Sequence, residues 1–315
     1  MKKKIRAVML GHAVADALGV PVEFCSRAEL DASPLEKMEG YGTYPVPAGS
    51  WSDDTSMSIA ALDSLAGGEV DFDDIMRRFG EWYYKSDYTP TGKLFDIGGT
   101  CSRAIDRYFR ENLPPTECGP KEASSNGNGS LMRIHPFSLY AYARGLDGGE
   151  TDKLIDSASA LTHGHERSRL ACRIYNLLLC SLLDKPSKAS IEAALAEARK
   201  KYKDSTEIGY YERLLSPGFE ATPRVKIKSS GYVVDTLEAA VWCLLNSDTY
   251  RECALMAANL GEDTDTVAAI AGGLAGALYG IEAIPREWLG MLLRLDYITD
   301  MCDRAADNWS KLSKA

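Results

Sequence analysis

The 315-residue sequence is poor in the residues that most often declare a metal or redox site. It has four histidines, His12, His135, His163 and His165, and eight cysteines scattered from Cys25 to Cys302. No C-x-x-C pair or zinc-ribbon spacing occurs, which excludes a zinc finger and a thioredoxin-like centre. Cys172, Cys180, Cys243 and Cys253 lie in apolar helical stretches, where a cysteine is usually a small core residue. Reduced thiols and a cytoplasmic setting are therefore expected. Basic residues are short against acidic ones, 36 against 45, for a net charge of −9. Such a chain is a poor general binder of nucleic-acid backbones, whose affinity comes largely from Lys and Arg. No charge-free apolar stretch of about 18 residues is present, so no membrane helix is expected. The basic start MKKKIRAVML only partly resembles a signal peptide, because His12 and Asp16 interrupt the apolar run. Walker, G-x-G-x-x-G, G-x-S-x-G, H-E-x-x-H and EF-hand spacings are all missing.

Alternating strand-like runs are scarce too, with Arg224–Val234 the best strand candidate. Apolar residues instead recur at helical spacing: Ile5, Val8, Met9 and Ala13; then Ile59, Leu62 and Leu65; then Ile155, Ala158 and Leu161. Long helices are expected around 166–184, 188–202, 235–246, 249–260, 265–279 and 286–309. The segments rich in Pro, Gly and Ser, at 43–52, 113–130 and 216–231, are too short to tether separate domains. The expected class is all-α, one domain over 1–315 with about a dozen helices. At this length a chain hides about three quarters of its surface on folding, so no disulfide is needed for a core.

Oxygen ligands concentrate in three places. Glu23 follows the turn at Gly19–Pro21. Ser52, Asp53, Asp54 and Thr55 open one helix, and Asp263, Thr264, Asp265 and Thr266 open another. Such residues are ordinary N-caps, and acids there oppose the positive end of the helix dipole. Each cluster nevertheless holds more acid than a cap needs. The second precedes AAIAGGLAGALYG, a helix apolar nearly all round and therefore buried. Carboxylates at a buried helix start are costly unless a cation balances them. Hard oxygen donors suit Mg²⁺, Mn²⁺ or Ca²⁺, and two ions about 4 Å apart are a common device for activating water.

The loop SSNGNGSLMR at 124–133 places Gly127 and Gly129 around Asn128. Glycine lets backbone approach a ligand closely. Asn128 could present its side chain, and a helix start following the loop could offer amides to a phosphate; a plain turn and cap is the competing reading. The pair His163 and His165 has H-x-H spacing but no third soft ligand nearby in sequence, so hydrogen bonding to an anionic ligand is preferred over metal binding.

Five blocks, GHAVADALGVPVE, WSDDTSM, GNGSLMR, TH at 162–163 and GEDTDTVAAIAGGLAGALYG, resemble the ADP-ribosylglycohydrolase family in order and spacing from about residue 5 to 281. The resemblance implies an all-α orthogonal fold with a binuclear Mg²⁺ or Mn²⁺ centre at helix N-termini. It implies Ser52, Asp53, Asp54, Asp263, Asp265 and Thr266 as metal ligands, with Glu23 able to approach the metals. It implies Gly127, Asn128, Gly129 and His163 as residues that hold ADP-ribose. Two departures stand out: Ser52 where threonine is common, which keeps the hydroxyl, and Ala15 where glycine is usual.

The implied reaction is hydrolysis at C1″ of the distal ribose through an oxocarbenium-like state, with Glu23, Asp53 or Asp54 as the base. Asp96, before Gly98-Gly99, could pair a guanidinium bidentately, favouring an arginine-linked acceptor; capping of a helix near Gly98 is its competing role. Serine-linked, nucleobase-linked and small-molecule acceptors stay open. So do a silent ADP-ribose binder and a di-metal phosphohydrolase. ADP-ribose is the implied product, and a monomer is expected.

Overall fold

Several helices are buried along most of their length, and the rest of the fold is arranged around the seam between two of them. A computed structural model describes residues 1–312. Among these residues there are fourteen α-helices. They are α1 (Lys2–Gly19), α2 (Arg27–Ala32), α3 (Asp53–Leu65), α4 (Phe72–Lys85), α5 (Gly99–Glu111), α6 (His135–Arg144) and α7 (Gly148–Ala160). The second half holds α8 (Glu166–Asp184), α9 (Lys188–Lys201), α10 (Val233–Leu245), α11 (Tyr250–Ala258), α12 (Thr264–Tyr279), α13 (Arg286–Met291) and α14 (Leu295–Leu312). The described residues contain no strand, only one isolated antiparallel bridge between Gly127 and Tyr232.

Every residue of α1 from Ala7 to Gly19 and of α12 from Thr264 to Gly276 is buried. The two helices lie antiparallel with their backbones in contact. A methyl group at Gly11 would sit 2.5 Å from the Gly272 carbonyl oxygen, and one at Gly276 would collide with the Ala7 carbonyl. Ala15, the departure from the family pattern, places its methyl against Gly272, so one methyl fills the space between two small positions. At the end of α1, a side chain on Gly19 would come within 2.5 Å of the Asp265 Cα. The Thr264 hydroxyl donates to the Gly19 carbonyl at 2.8 Å. The acidic start of α12 is thereby locked to the end of α1. Helices α3 and α14 pack on α1, while α8, α10 and α11 pack on α12.

Helices α8 to α12 match the expected spans to within two residues at each end. Two expectations need correction. Arg224–Val234 is not a strand: a short 3₁₀ turn at Arg224–Lys226 leads to α10, and the segment pairs with the glycine loop only around Gly231. The expected helix 286–309 is two helices. Arg294 takes the left-handed conformation at φ 50°, and the Leu293 amide turns away to the Gly49 carbonyl at 3.0 Å. Lys2–Val22 is long and apolar enough to cross a membrane by length and composition alone, but 89% of its 18-residue apolar window is buried inside the protein, as in a core helix. All eight cysteines are free thiols.

Candidate metal centre and ligand cleft

The contact between α1 and α12 decides where the acids meet. After Gly19 a 3₁₀ turn, Val20–Val22, brings Glu23 over the start of α12. Ligand oxygens of Glu23, Asp263 and Asp265 lie within 4.8 Å of one another. The N-terminus of α3 joins them, since the Thr266 hydroxyl donates to Asp54 Oδ2 at 3.1 Å. The Ser52 hydroxyl lies 3.3 Å from the same oxygen and also accepts the Asp54 amide. All six expected ligands therefore sit on two converging helix N-termini. Capping explains part of one and little of the other. Ser52 caps α3, whereas Asp263 makes no side-chain cap on α12 and accepts the Asn128 side-chain amide at 2.6 Å instead.

Asp16 is a site residue that sequence reasoning left without a role. It is fully buried in α1 and accepts from the Ser52 amide at 3.0 Å, the Thr55 amide at 3.1 Å and the Thr55 hydroxyl at 2.6 Å. These are the donors an N-cap would otherwise have to satisfy. Asp16 takes that task from a distance in sequence, so neither the Asp53 nor the Asp54 carboxylate is spent on capping α3. An acid inside an apolar helix was the available signal.

Burial raises every carboxyl here above its ordinary range. Asp53, Asp54 and Asp265 lie well above it and Asp263 is raised. Glu23 is pushed up to about 9, by burial first and then by Asp96 and Asp263. Asp16 rises to about 7 through burial, opposed by its hydrogen bonds. Two helix dipoles favour negative charge at this point, but only by about 0.3–2 kcal/mol each, far less than several crowded carboxylates need. Glu23 Oε2, Asp54 Oδ1 and Asp265 Oδ2 are buried without a protein partner. An all-oxygen donor set with unsatisfied buried anionic atoms fits hard divalent cations.

A cleft of about 580 Å³ opens on this cluster. Glu23, Asp53, Asp96 and Asp263 line it; Asp54 does not. Its lining contains no lysine or arginine. Asp53 Oδ2 accepts the Gly98 amide at 3.3 Å. Asp96 stands at φ 54° with its carboxyl pushed up to about 6 by burial and by Asp263. It does not cap a helix: Gly98 occupies the N-cap of α5. The Tyr44 side chain beside Asp96 and Glu23 opposes the rise of both carboxyls.

The glycine loop is remote from these acids in sequence but joins them in space. Its backbone is held by Asn128 N–H to the Gly231 carbonyl at 3.0 Å and Val233 N–H to the Asn126 carbonyl at 3.0 Å. A side chain at Gly129 would meet the His163 ring at 2.9 Å, so glycine is required for this close approach. Two expectations for the loop are revised. The Asn128 side chain serves Asp263 and Thr236 rather than standing free. The helix that follows, α6, starts only at His135, in the core, because turns run through Arg133 before it. The helix start that does face the cleft is α5: Gly98, Gly99, Thr100 and Cys101 line it, with no side-chain cap and no acid in the first turn. Its free amides suit an anionic group. His163 lines the cleft and is kept neutral, its pKa lowered to about 3 by burial and then by Arg133. His165 is an N-cap, its Nδ1 accepting the Arg167 amide at 3.1 Å, so the H-x-H pair is not a metal site.

Residues 1–314 match the family described as ADP-ribosylglycohydrolase. The chain is similar to ADP-ribosylarginine hydrolase Tri1 of Serratia proteamaculans, 32% identical over 96% of this chain and 78% of that protein. It is also similar to ADP-ribosyl-[dinitrogen reductase] glycohydrolase of Rhodospirillum rubrum, 32% identical over 90% of this chain and 88% of that protein. Among solved structures, an ADP-ribosylglycohydrolase-related protein complex superposes with a TM-score of 0.82 at 29% identity, covering 99% of this chain and 98% of that one.

Proposed function

Since the chain belongs to the ADP-ribosylglycohydrolase family, we propose that it removes ADP-ribose from a modified acceptor, with an arginine linkage favoured. The observation that carries this reading is the convergence of two acidic helix starts, with buried unsatisfied oxygens, on one cleft. Two relatives named for ADP-ribosylarginine or dinitrogen-reductase substrates support it. Residues 1–315 act as one domain of this kind, and its free thiols suit a reducing compartment.

Ser52, Asp53, Asp54, Asp263, Asp265 and Thr266 would hold two Mg²⁺ or Mn²⁺ ions, with Glu23 alongside. The chemistry supplied by such ions, when bound, is Lewis acidity toward ribose hydroxyls and water. The chain's own residues do the rest. Glu23 and Asp53 face the cleft, so one of them accepts the proton of the attacking water; Asp54, turned inward, braces Ser52 and Thr266. Bond cleavage at C1″ builds positive charge on the ribose, and the surrounding carboxylates stabilise it. The α5 amides, the Gly127–Gly129 loop and His163 take the phosphates without a cationic side chain. Asp96 receives the acceptor guanidinium through two parallel charge-assisted hydrogen bonds.

The test is incubation with ADP-ribosylated arginine and serine peptides in Mg²⁺, Mn²⁺ or EDTA, followed by mass spectrometry. Free ADP-ribose released from the arginine peptide and lost in EDTA is the expected result. Release of inorganic phosphate, or no release with metal present, would refute the proposal.

A further inference from the structure

Arg133 is fully buried, yet among the described residues no carboxylate pairs with it. Its guanidinium lies 4.9 Å over the Phe79 ring and donates to two neutral oxygens, the Ala158 carbonyl at 3.2 Å and the Thr162 hydroxyl at 2.7 Å. Nε and Nη1 have no partner. An unpaired buried cation is a burden on stability, so its one short hydrogen bond calls for a role. The Thr162 oxygen lies 2.9 Å from His163 Nδ1.

Donor and acceptor capacities argue for one direction of that contact. Arginine can only donate, so it occupies a lone pair of Thr162 Oγ1. A hydroxyl has a single proton to give. His163 Nδ1 lies within hydrogen-bond distance of it, while the Cys101 thiol is directed to the Gly129 carbonyl at 3.8 Å. Imidazole nitrogen is a good acceptor, and the guanidinium polarises the hydroxyl toward it. The His163 backbone is fixed independently, its amide donating to the Ser159 carbonyl at 2.7 Å. Nδ1 is thus an acceptor, and the ring proton sits on Nε2, the nitrogen beside Gly127 on the cleft.

We infer that Arg133 is a positioning residue: acting through Thr162, it holds His163 in the Nε2–H tautomer, so the cleft receives an N–H donor matched to a phosphate oxygen. The ligand half of this inference rests on the function proposed above; the tautomer half does not.

The test uses the full chain labelled with ¹⁵N-histidine, loaded with Mg²⁺. Four histidines give four ring patterns in two-bond ¹H–¹⁵N spectra, and His163→Gln assigns the relevant one. The expected wild-type pattern, without ligand, is Nε2–H for His163. Thr162→Val, close to threonine in shape, is expected to mix the tautomers and weaken binding of the probe ADP-ribose about tenfold, the size of one charge-assisted hydrogen bond. Thr162→Ser should restore both. A proton on Nδ1 in the wild type would overturn the inference without any variant having to fold. So would a Thr162→Val protein with unchanged tautomer and affinity. A wild type with the expected tautomer that fails to bind ADP-ribose would instead refute the proposed function and leave the relay standing.

Discussion

At the scale of single residues, the chemistry of the site is legible because it is written in side-chain type. Carboxylates and hydroxyls at two helix starts announce hard ligands by residue type alone. What they need from elsewhere is not legible. Asp16 works through space on Ser52 and Thr55, and Asn128 through space on Asp263, contacts that no local spacing encodes. Asp265 makes the most direct test. Asp265→Ala should cut turnover by about a hundredfold to a thousandfold, in line with loss of a principal electrostatic element. It should also abolish the thermal stabilisation given by Mn²⁺. A folded variant with wild-type turnover, followed by mass spectrometry, would sink the metal reading. Asp96→Asn keeps the shape and loses the charge. A hydrogen bond to a charged group contributes about 1.5–3 kcal/mol, so kcat/KM on an arginine-linked substrate should fall roughly tenfold to a hundredfold. A serine-linked substrate should be little affected; equal losses on both would remove the guanidinium assignment.

Among elements, periodicity serves well where a helix has a consistent buried face, as α8 to α12 do. It fails where tertiary contacts cut a continuous apolar pattern, as at Leu293 and Arg294 between α13 and α14. It is also silent about α5, whose Gly98-Gly99 start reads as a turn in sequence and becomes a cleft-facing helix terminus only in the fold. The seam between α1 and α12 gives the clearest prediction here. Gly276→Ala would drive a methyl into the Ala7 carbonyl, and relief requires backbone to move. Overpacking of this kind costs about 1–3 kcal/mol, more where the neighbour is rigid. The urea midpoint should fall accordingly. The same substitution at Gly290, where a side chain would meet nothing within 4 Å, should leave it nearly unchanged.

For the molecule as a whole, titration would couple to the proposed cation binding. A carboxyl whose folded pKa lies above its unfolded value favours folding most at low pH, and that contribution is lost as pH rises through the folded value. Glu23 at about 9, Asp16 at about 7 and Asp96 at about 6 all have this sign. His12 and His163, lowered to about 3, have the opposite effect: their contribution is present above about 6.5 and lost as pH falls toward 3. In EDTA, melting temperature should therefore pass through a maximum at about pH 4–5 and decline toward pH 9. Saturating Mg²⁺ or Mn²⁺, which favours ionised carboxylates, should abolish the alkaline decline and leave the acid limb. A metal-free protein equally stable at pH 6 and pH 9 would contradict this.

The bond from Thr266 to Asp54 spans 212 residues, and that separation has a consequence during synthesis. At about 5–20 residues per second, α3 waits on the order of 10–40 s for its partner to be made. Until then Asp53 and Asp54 belong to an incomplete site. On the proposed function, the nascent chain gains cation affinity only once α12 has been made, so ion capture would report the docking of α12 against α1 and α3.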